Sequence, residues 1–217
     1  ILDYPIKNIL PDILSEKFTL MEIDAIIERV RRKILESLTE SAERIPISES
    51  ALIATDWING RRTPNANQIL KGTISGLTLG TTAPHIFRAL VEATSFGTKA
   101  IVDCFEKEGI SIEKVIGIGS IALKSSFIMQ TMCDVINKPI KVCNTDYACA
   151  LGAAMFAATA AGIYEKVEDA VEAMNSGFSK EYIPIRENVE AYSQLYSQYC
   201  DLGKFTEENL FNKTRTI

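Results

Sequence analysis

Two long stretches carry apolar residues at helical spacing. Ile23, Ile26, Ile27, Val30, Ile34 and Leu38 fall on one face of a helix over 20–43, with charges opposite and Pro46 beyond its end. Ile86, Phe87, Leu90, Ala93, Ile101 and Phe105 do the same for a helix running to about residue 107. Thr81 or Thr82 can cap it, Pro84 suits its first turn, and Gly109 stops it. Short unbroken apolar runs follow a different rule. Val115–Ile118 and Ile140–Cys143 read as buried strands, and Leu52–Thr55 as a shorter candidate. The 120–124 turn leads from the first of these strands to a helix capped by Ser125 or Ser126 and ended by Asn137-Lys138-Pro139. A strand–helix–strand connection of that length predicts two parallel strands joined by a right-handed crossover.

The remaining segments are plainer. Residues 1–19, with Pro5 and Pro11, read as a lead-in loop. Ala148–Ala161 is a helix of small residues, suited to lie close against a sheet, and Gly162 ends it. Helices are expected over 167–175 and 187–202, and no strand after Gly162. Tyr192, Leu195, Tyr196, Tyr199 and Leu202 form a stripe at helical spacing, which is packing.

Composition narrows the class. The 217 residues are 47% hydrophobic and 24% charged, enough to bury a core. The net charge of -5 and a single basic run, Arg29, Arg31, Arg32 and Lys33 on a helix face, make nucleic acid an unexpected partner. The five cysteines (Cys104, Cys133, Cys143, Cys149, Cys200) are odd in number and lack C-x-x-C spacing. Neither a zinc site nor a disulfide framework is indicated, and reduced thiols in a cytoplasmic protein fit best. No apolar run has the length of a membrane span, and no signal peptide is present. The chain starts at Ile1 rather than Met, as expected of a fragment or a trimmed chain.

Candidate chemistry centres on Gly117-Ile118-Gly119-Ser120. A glycine turn after a strand exposes backbone to a ligand, and a following helix presents free N–H groups. The glycines alone do not separate a nucleotide site from an ordinary α/β turn. Gly117-x-Gly119-x-x-Ala122 also matches the dinucleotide fingerprint, with Asp146 beyond the next strand as a ribose-binding acid. Two features weaken that NAD-type oxidoreductase reading: Ser120–Lys124 intervene before a helix cap, and no further strand–helix units follow. No Walker A motif occurs. The loop Asp56-Trp57-Ile58-Asn59-Gly60-Arg61-Arg62-Thr63-Pro64 could line a cleft. The preferred reading makes Trp57 a core plug and Arg61 or Arg62 a surface ion pair. Gly72, Gly76 and Gly80 point to close backbone packing. His85, the only histidine, reads as a surface or capping residue.

Three blocks in order then resemble the FGGY carbohydrate kinases, and within them the bacterial ribulokinases. The 56–64 loop resembles the family's W-x-N-G-x-R stretch. Gly72-Thr73-Ile74-Ser75-Gly76-Leu77 with His85–Ala93 is similar to its signature. Gly117–Asp134 with Ala150-Leu151-Gly152-Ala153-Ala154 resembles its adenine-side motif and supporting helix. The likeness covers about residues 50–165.

The resemblance implies an α/β, ribonuclease H-like fold of the actin, Hsp70 and sugar kinase superfamily, with a small mixed sheet flanked by helices. It makes residues 1–217 a partial C-terminal domain. On this division 1–48 is a lead-in loop and amphipathic helix, 49–165 the core with the nucleotide motif, and 166–217 C-terminal helices. It further implies an ATP-dependent, Mg2+-using kinase acting on a ketopentose, L-ribulose first. ATP would sit between domains and the sugar on the missing N-terminal domain. The catalytic base and phosphate turns lie upstream, so no catalytic residue, metal ligand or sugar contact is assigned to this chain.

Carried over by position, Gly119, Ser120 and Ser125 contact adenosine, with Gly117 and Lys124 as neighbours. Ser120 departs from the pattern, where a second glycine is usual. Arg61 lies within the loop motif, beside the arginine position held by Arg62, and is given a cleft-closing role. A homodimer is compatible with this reading, and so is a non-enzymatic actin-like nucleotide-binding module.

Overall fold

The computed structural model describes residues 3–211. Its first helices are α1 (Asp3–Asn8), α2 (Leu10–Leu14) and α3 (Leu20–Glu43). The expected lead-in loop is therefore helical over much of its length. Pro11 sits in the first turn of α2, where a missing N–H costs nothing. Ile6, Leu10 and Leu14 close over Ile23 and Ile27 of α3, so these short helices are stabilised by burial rather than propensity. At the start of α3 the Thr19 N–H donates to Glu22 Oε2 at 2.8 Å, a reciprocal cap.

A 3-10 turn (Ile47–Glu49) leads to β1 (Ile53–Ala54), which pairs antiparallel with β2 (Ile74–Ser75). Then comes α4 (Ala83–Lys107), whose 25 residues span about 37 Å and form the central strut. Thr82 precedes it, and the Thr82 N–H donates to His85 Nδ1 at 3.3 Å, so His85 is a capping residue. After α4 come β3 (Val115–Gly117), α5 (Ser120–Lys124), α6 (Ser126–Ile136), β4 (Ile140–Cys143), α7 (Ala148–Ala160) and α8 (Val167–Met174). The chain closes with β5 (Phe178–Tyr182), α9 (Arg186–Thr206) and a wide π-type turn (Glu207–Phe211).

The second sheet has the order β3-β4-β5. β3 and β4 are parallel, as the crossover rule predicts, with Val115 opposite Ile140 and Gly117 opposite Val142. β5 is a strand the sequence reading did not anticipate. It pairs antiparallel with β4, with a register shift between Val142 and Cys143. Its sequence, Phe-Ser-Lys-Glu-Tyr, buries only Tyr182, so it has no apolar run to detect.

Ile136, Ile140, Val142 and Cys133 fill the space between α6 and the sheet. The small-residue helix α7 does not pack on the sheet. It lies chiefly on α8 and buries only Met155, whereas α5 and α6 are the helices that meet β4 and β5. The tyrosine stripe of α9 is core as expected: Tyr192 and Tyr199 pack with Phe96 of α4, Ile53 and Val135. Among the described residues no helix is long and apolar enough to cross a membrane.

Buried polar groups fix how these helices meet. Arg88 of α4 is 4% exposed. It donates to Glu92 Oε1 (2.8 Å), to the carbonyls of Ala42 (3.0 Å) and Ile45 (2.7 Å), and to the Tyr192 hydroxyl (3.0 Å). Burial pushes the Glu92 carboxyl up, against the pull of Arg88 and the Ser50 hydroxyl. Asp134 of α6 accepts from Gln130 Nε2, Ile185 N–H and Asn188 Nδ2, each at 2.8 Å. That carboxylate pins the start of α9 to α6.

Removing one partner of the buried ion pair leaves the other charged and dry. Arg88→Ala is expected to destabilise the fold by about 3–5 kcal/mol, and Arg88→Met with Glu92→Leu by clearly less. Urea denaturation of the three proteins measures both. A double variant weaker than the single one would refute the assignment.

Cys133 is fully buried and donates its Sγ–H to Lys138 O at 3.2 Å. Burial, and secondarily the Asp134 charge, push its thiol from 9.0 up to about 12. The folded value lies above the unfolded one, so its contribution to stability is intact below pH 9 and is lost as pH rises towards 12. The native protein should therefore leave Cys133 unalkylated by iodoacetamide at pH 8 while exposed Cys104 and Cys149 react. Peptide mass mapping before and after urea checks this.

Candidate functional site

The glycine turn is built at the C-terminal end of β3, where open α/β sheets bind ligands. Gly117 ends the strand and Gly119 stands at φ +89°, ψ 171°, a region open in practice to glycine alone. α5 begins at Ser120, so the residues between Gly119 and the Ser125 cap are a helical turn rather than a plain one. The first backbone bond of that turn runs from Leu123 N–H to Gly119 O (3.3 Å). The N–H groups of Ser120, Ile121 and Ala122 precede it and are not used within the helix.

The predicted residues play separate parts. A Cβ on Gly117 would lie 2.9 Å from Met129 Cε and 3.5 Å from Ala122 Cβ, so a side chain here would push on the flexible end of Met129 within the core. A Cβ on Gly119 would meet nothing within 4 Å. That backbone is bare and faces open space. The Ser120 and Lys124 side chains are exposed. The Ser125 hydroxyl accepts from Ile128 N–H at 3.3 Å and so caps α6. Ile118 and Ile121 are 56% and 62% exposed and flank the turn with apolar surface. The result is one wall of a site: bare backbone, unused N–H donors, an ammonium and two isoleucines. The Gly152 segment of α7, assigned above as a supporting helix, likewise faces open space. Among the described residues no group of three or more His, Cys, Asp or Glu could hold a metal ion.

A second concave feature lies elsewhere. The 56–64 loop places Trp57, 5% exposed, against Gly203 of α9, where a Cβ would come within 3.1 Å of the indole. Trp57 is thus the core plug expected of it. The Arg61 guanidinium stacks over the indole at 5.1 Å and forms a two-point ion pair with Glu207 at 2.8 and 3.0 Å. The Tyr199 hydroxyl donates to Asp56 Oδ1 at 2.8 Å. Burial and the Asp56 charge hold the Tyr199 phenol well above the ordinary range, so it stays protonated. The 61–65 segment, Gly97 and Lys204 complete a cleft of about 260 Å³. Glu207 and Lys204 were missed in the sequence, although Tyr199, Gly203 and Glu207 share the i, i+4 spacing of one helix face.

Comparison with solved structures defines the fold. A ligand-bound xylulose kinase from Lactobacillus acidophilus superposes with a TM-score of 0.69 at 21% identity, covering 80% of this chain and 35% of that one. A xylulose kinase from Rhodospirillum rubrum gives 0.67 at 24%, covering 95% and 38%. The chain shares its fold with these two kinases.

The chain belongs to the FGGY family of carbohydrate kinases, whose C-terminal domain matches residues 16–161. A ribulokinase from Vibrio parahaemolyticus is 45% identical over 181 residues, covering 83% of this chain and 32% of that protein. One from Bacillus licheniformis is 44% identical over 173 residues, covering 78% and 31%. The chain spans about a third of the length of these relatives. The glycine turn falls inside the family match, which overturns the NAD-type reading.

The two glycines should respond differently. Gly119→Ala strains the backbone and is expected to cost about 1–3 kcal/mol of stability. Gly117→Ala meets a flexible methionine end and should cost less, about 1 kcal/mol. Thermal melts rank them; the reverse order would mean that packing, not backbone conformation, governs the turn.

Proposed function

We propose that this chain supplies the adenosine side of the ATP cleft in an ATP-dependent carbohydrate kinase whose substrate is a ketopentose, L-ribulose first. The observation that carries the reading is the bare Gly119 backbone, with open space where a side chain would stand, at the strand end of a chain 45% identical to a ribulokinase. In this reading residues 1–48 are a lead-in, 49–165 the core and 166–217 the C-terminal part of one domain.

The residues present fit a nucleoside. Gly119 and Ser120 let base or ribose lie on the main chain, the isoleucines at 118 and 121 offer apolar contact, and Lys124 adds positive charge near a phosphate. Ser125 acts indirectly, by capping α6 and so holding the turn. ATP, when bound, supplies the phosphoryl group and carries Mg2+ on its phosphates. The described residues provide no ligand cluster for the metal. The chain's own work is therefore positioning and desolvation of the nucleoside, which in phosphoryl transfer is a large share of catalysis. The carboxylate base and the sugar contacts belong to the N-terminal part of the parent.

The test is calorimetric titration of the full-length parent with a non-hydrolysable ATP analogue and, separately, with L-ribulose. Gly119→Val, shown to be folded by circular dichroism, should lose tenfold to hundredfold in analogue affinity, about 1–3 kcal/mol, with sugar binding unchanged. Ser120→Gly should bind the analogue as well as the wild type or better. Residues 1–217 alone should release no ADP in a coupled assay. Wild-type analogue affinity in folded Gly119→Val would show the turn to be merely structural.

A further inference from the structure

The cleft beside Trp57 has no part in the nucleotide reading and does not rest on it. It lies between the 56–65 loop, α4 and the end of α9. Arg61 is held there from three sides: the indole beneath it, the Asn65 carbonyl on its Nε, and the Glu207 carboxylate on both terminal nitrogens. A guanidinium so fixed presents a ready two-point receptor for an oxyanion. Arg62 and Lys204 line the same cleft and enter no ion pair among the described residues. The Glu207 side chain is 44% exposed and belongs to the wide turn that ends α9. The pair is a two-point one, so only an anion that matches the same fork geometry can take the place of this carboxylate.

We propose that this cleft binds a small phosphate-bearing anion, and that Glu207 is a tethered carboxylate filling the arginine fork when the anion is absent. With Glu207 withdrawn, the cleft is lined by Arg61, Arg62 and Lys204 against the single carboxylate of Asp56. Asp56 is held inward by the Tyr199 hydroxyl and backs onto Gly97, where a Cβ would come within 2.5 Å of Asp56 Oδ2. Its charge keeps the anion off the floor and at the cationic rim. Binding frees the last turn of α9, so occupancy is reported at the C-terminal end of the described chain.

Trp57 is the only tryptophan, so its fluorescence reads this cleft directly. The experiment titrates the 217-residue protein with inorganic phosphate, against sodium chloride at matched ionic strength. The expected result is a saturable change in emission with phosphate and none with chloride. Glu207→Gln removes the competing charge and should tighten binding on the order of fivefold. Arg61→Lys loses the two-point geometry and should weaken it about tenfold. If Arg61→Lys does not fold, the double variant Arg62→Ala, Lys204→Ala must show the weakening instead. Phosphate binding no tighter in Glu207→Gln than in wild type, or a chloride response equal to that of phosphate, overturns the proposal. Loss of the response in Lys124→Ala would place the anion at the glycine turn and overturn it too.

Discussion

One guanidinium organises the helices. Arg88 reaches the carbonyls that end α3, the carboxylate one turn along its own helix, and the hydroxyl of a tyrosine on α9. Three helices from distant parts of the chain share a single planar donor. Each contact is directional, so the crossing of α3, α4 and α9 is set more narrowly than apolar packing alone would set it. Phe127 stacks at 5.6 Å from the guanidinium and draws α6 into the same junction. α6 follows the glycine turn through the single short helix α5, so this buried charge also bears on where that turn stands.

Much of this was legible in the sequence, and the failures have physical causes. α3 and α4 were read nearly to the residue because their apolar stripes are long and their caps and stops are standard. The parallel pairing of β3 and β4 followed from connection length and handedness. Strand β5 escaped because an edge strand exposed on both faces has no period to reveal it. The short helices α1 and α2 escaped because only tertiary contact with α3 makes five- and six-residue helices stable. α7 misled in another way: small residues permit close packing but do not require it.

The glycine turn was legible as a turn, but the separate parts its residues play were not. Glycines at 117 and 119 looked equivalent in the sequence. The structure separates them, one constrained by Met129 and the other by its own backbone angle. Ser125 likewise proves to be a helix cap first. The buried network around Arg88 and Asp134 was not visible at all, since charged residues on a helix read as surface until their distant partners, 43 to 104 residues away for Arg88, are placed.

The position of β3 has a consequence for how the protein must be handled. Among the described residues β3 pairs only with β4, so its other side is a free row of backbone donors and acceptors. Ile116, 54% exposed, sits on that margin, and no proline or lysine interrupts the strand. Such a margin templates another strand, and natural sheets usually shield it with charge, proline or a covering segment. The net charge of -5 is spread over the chain and does not cover this three-residue margin.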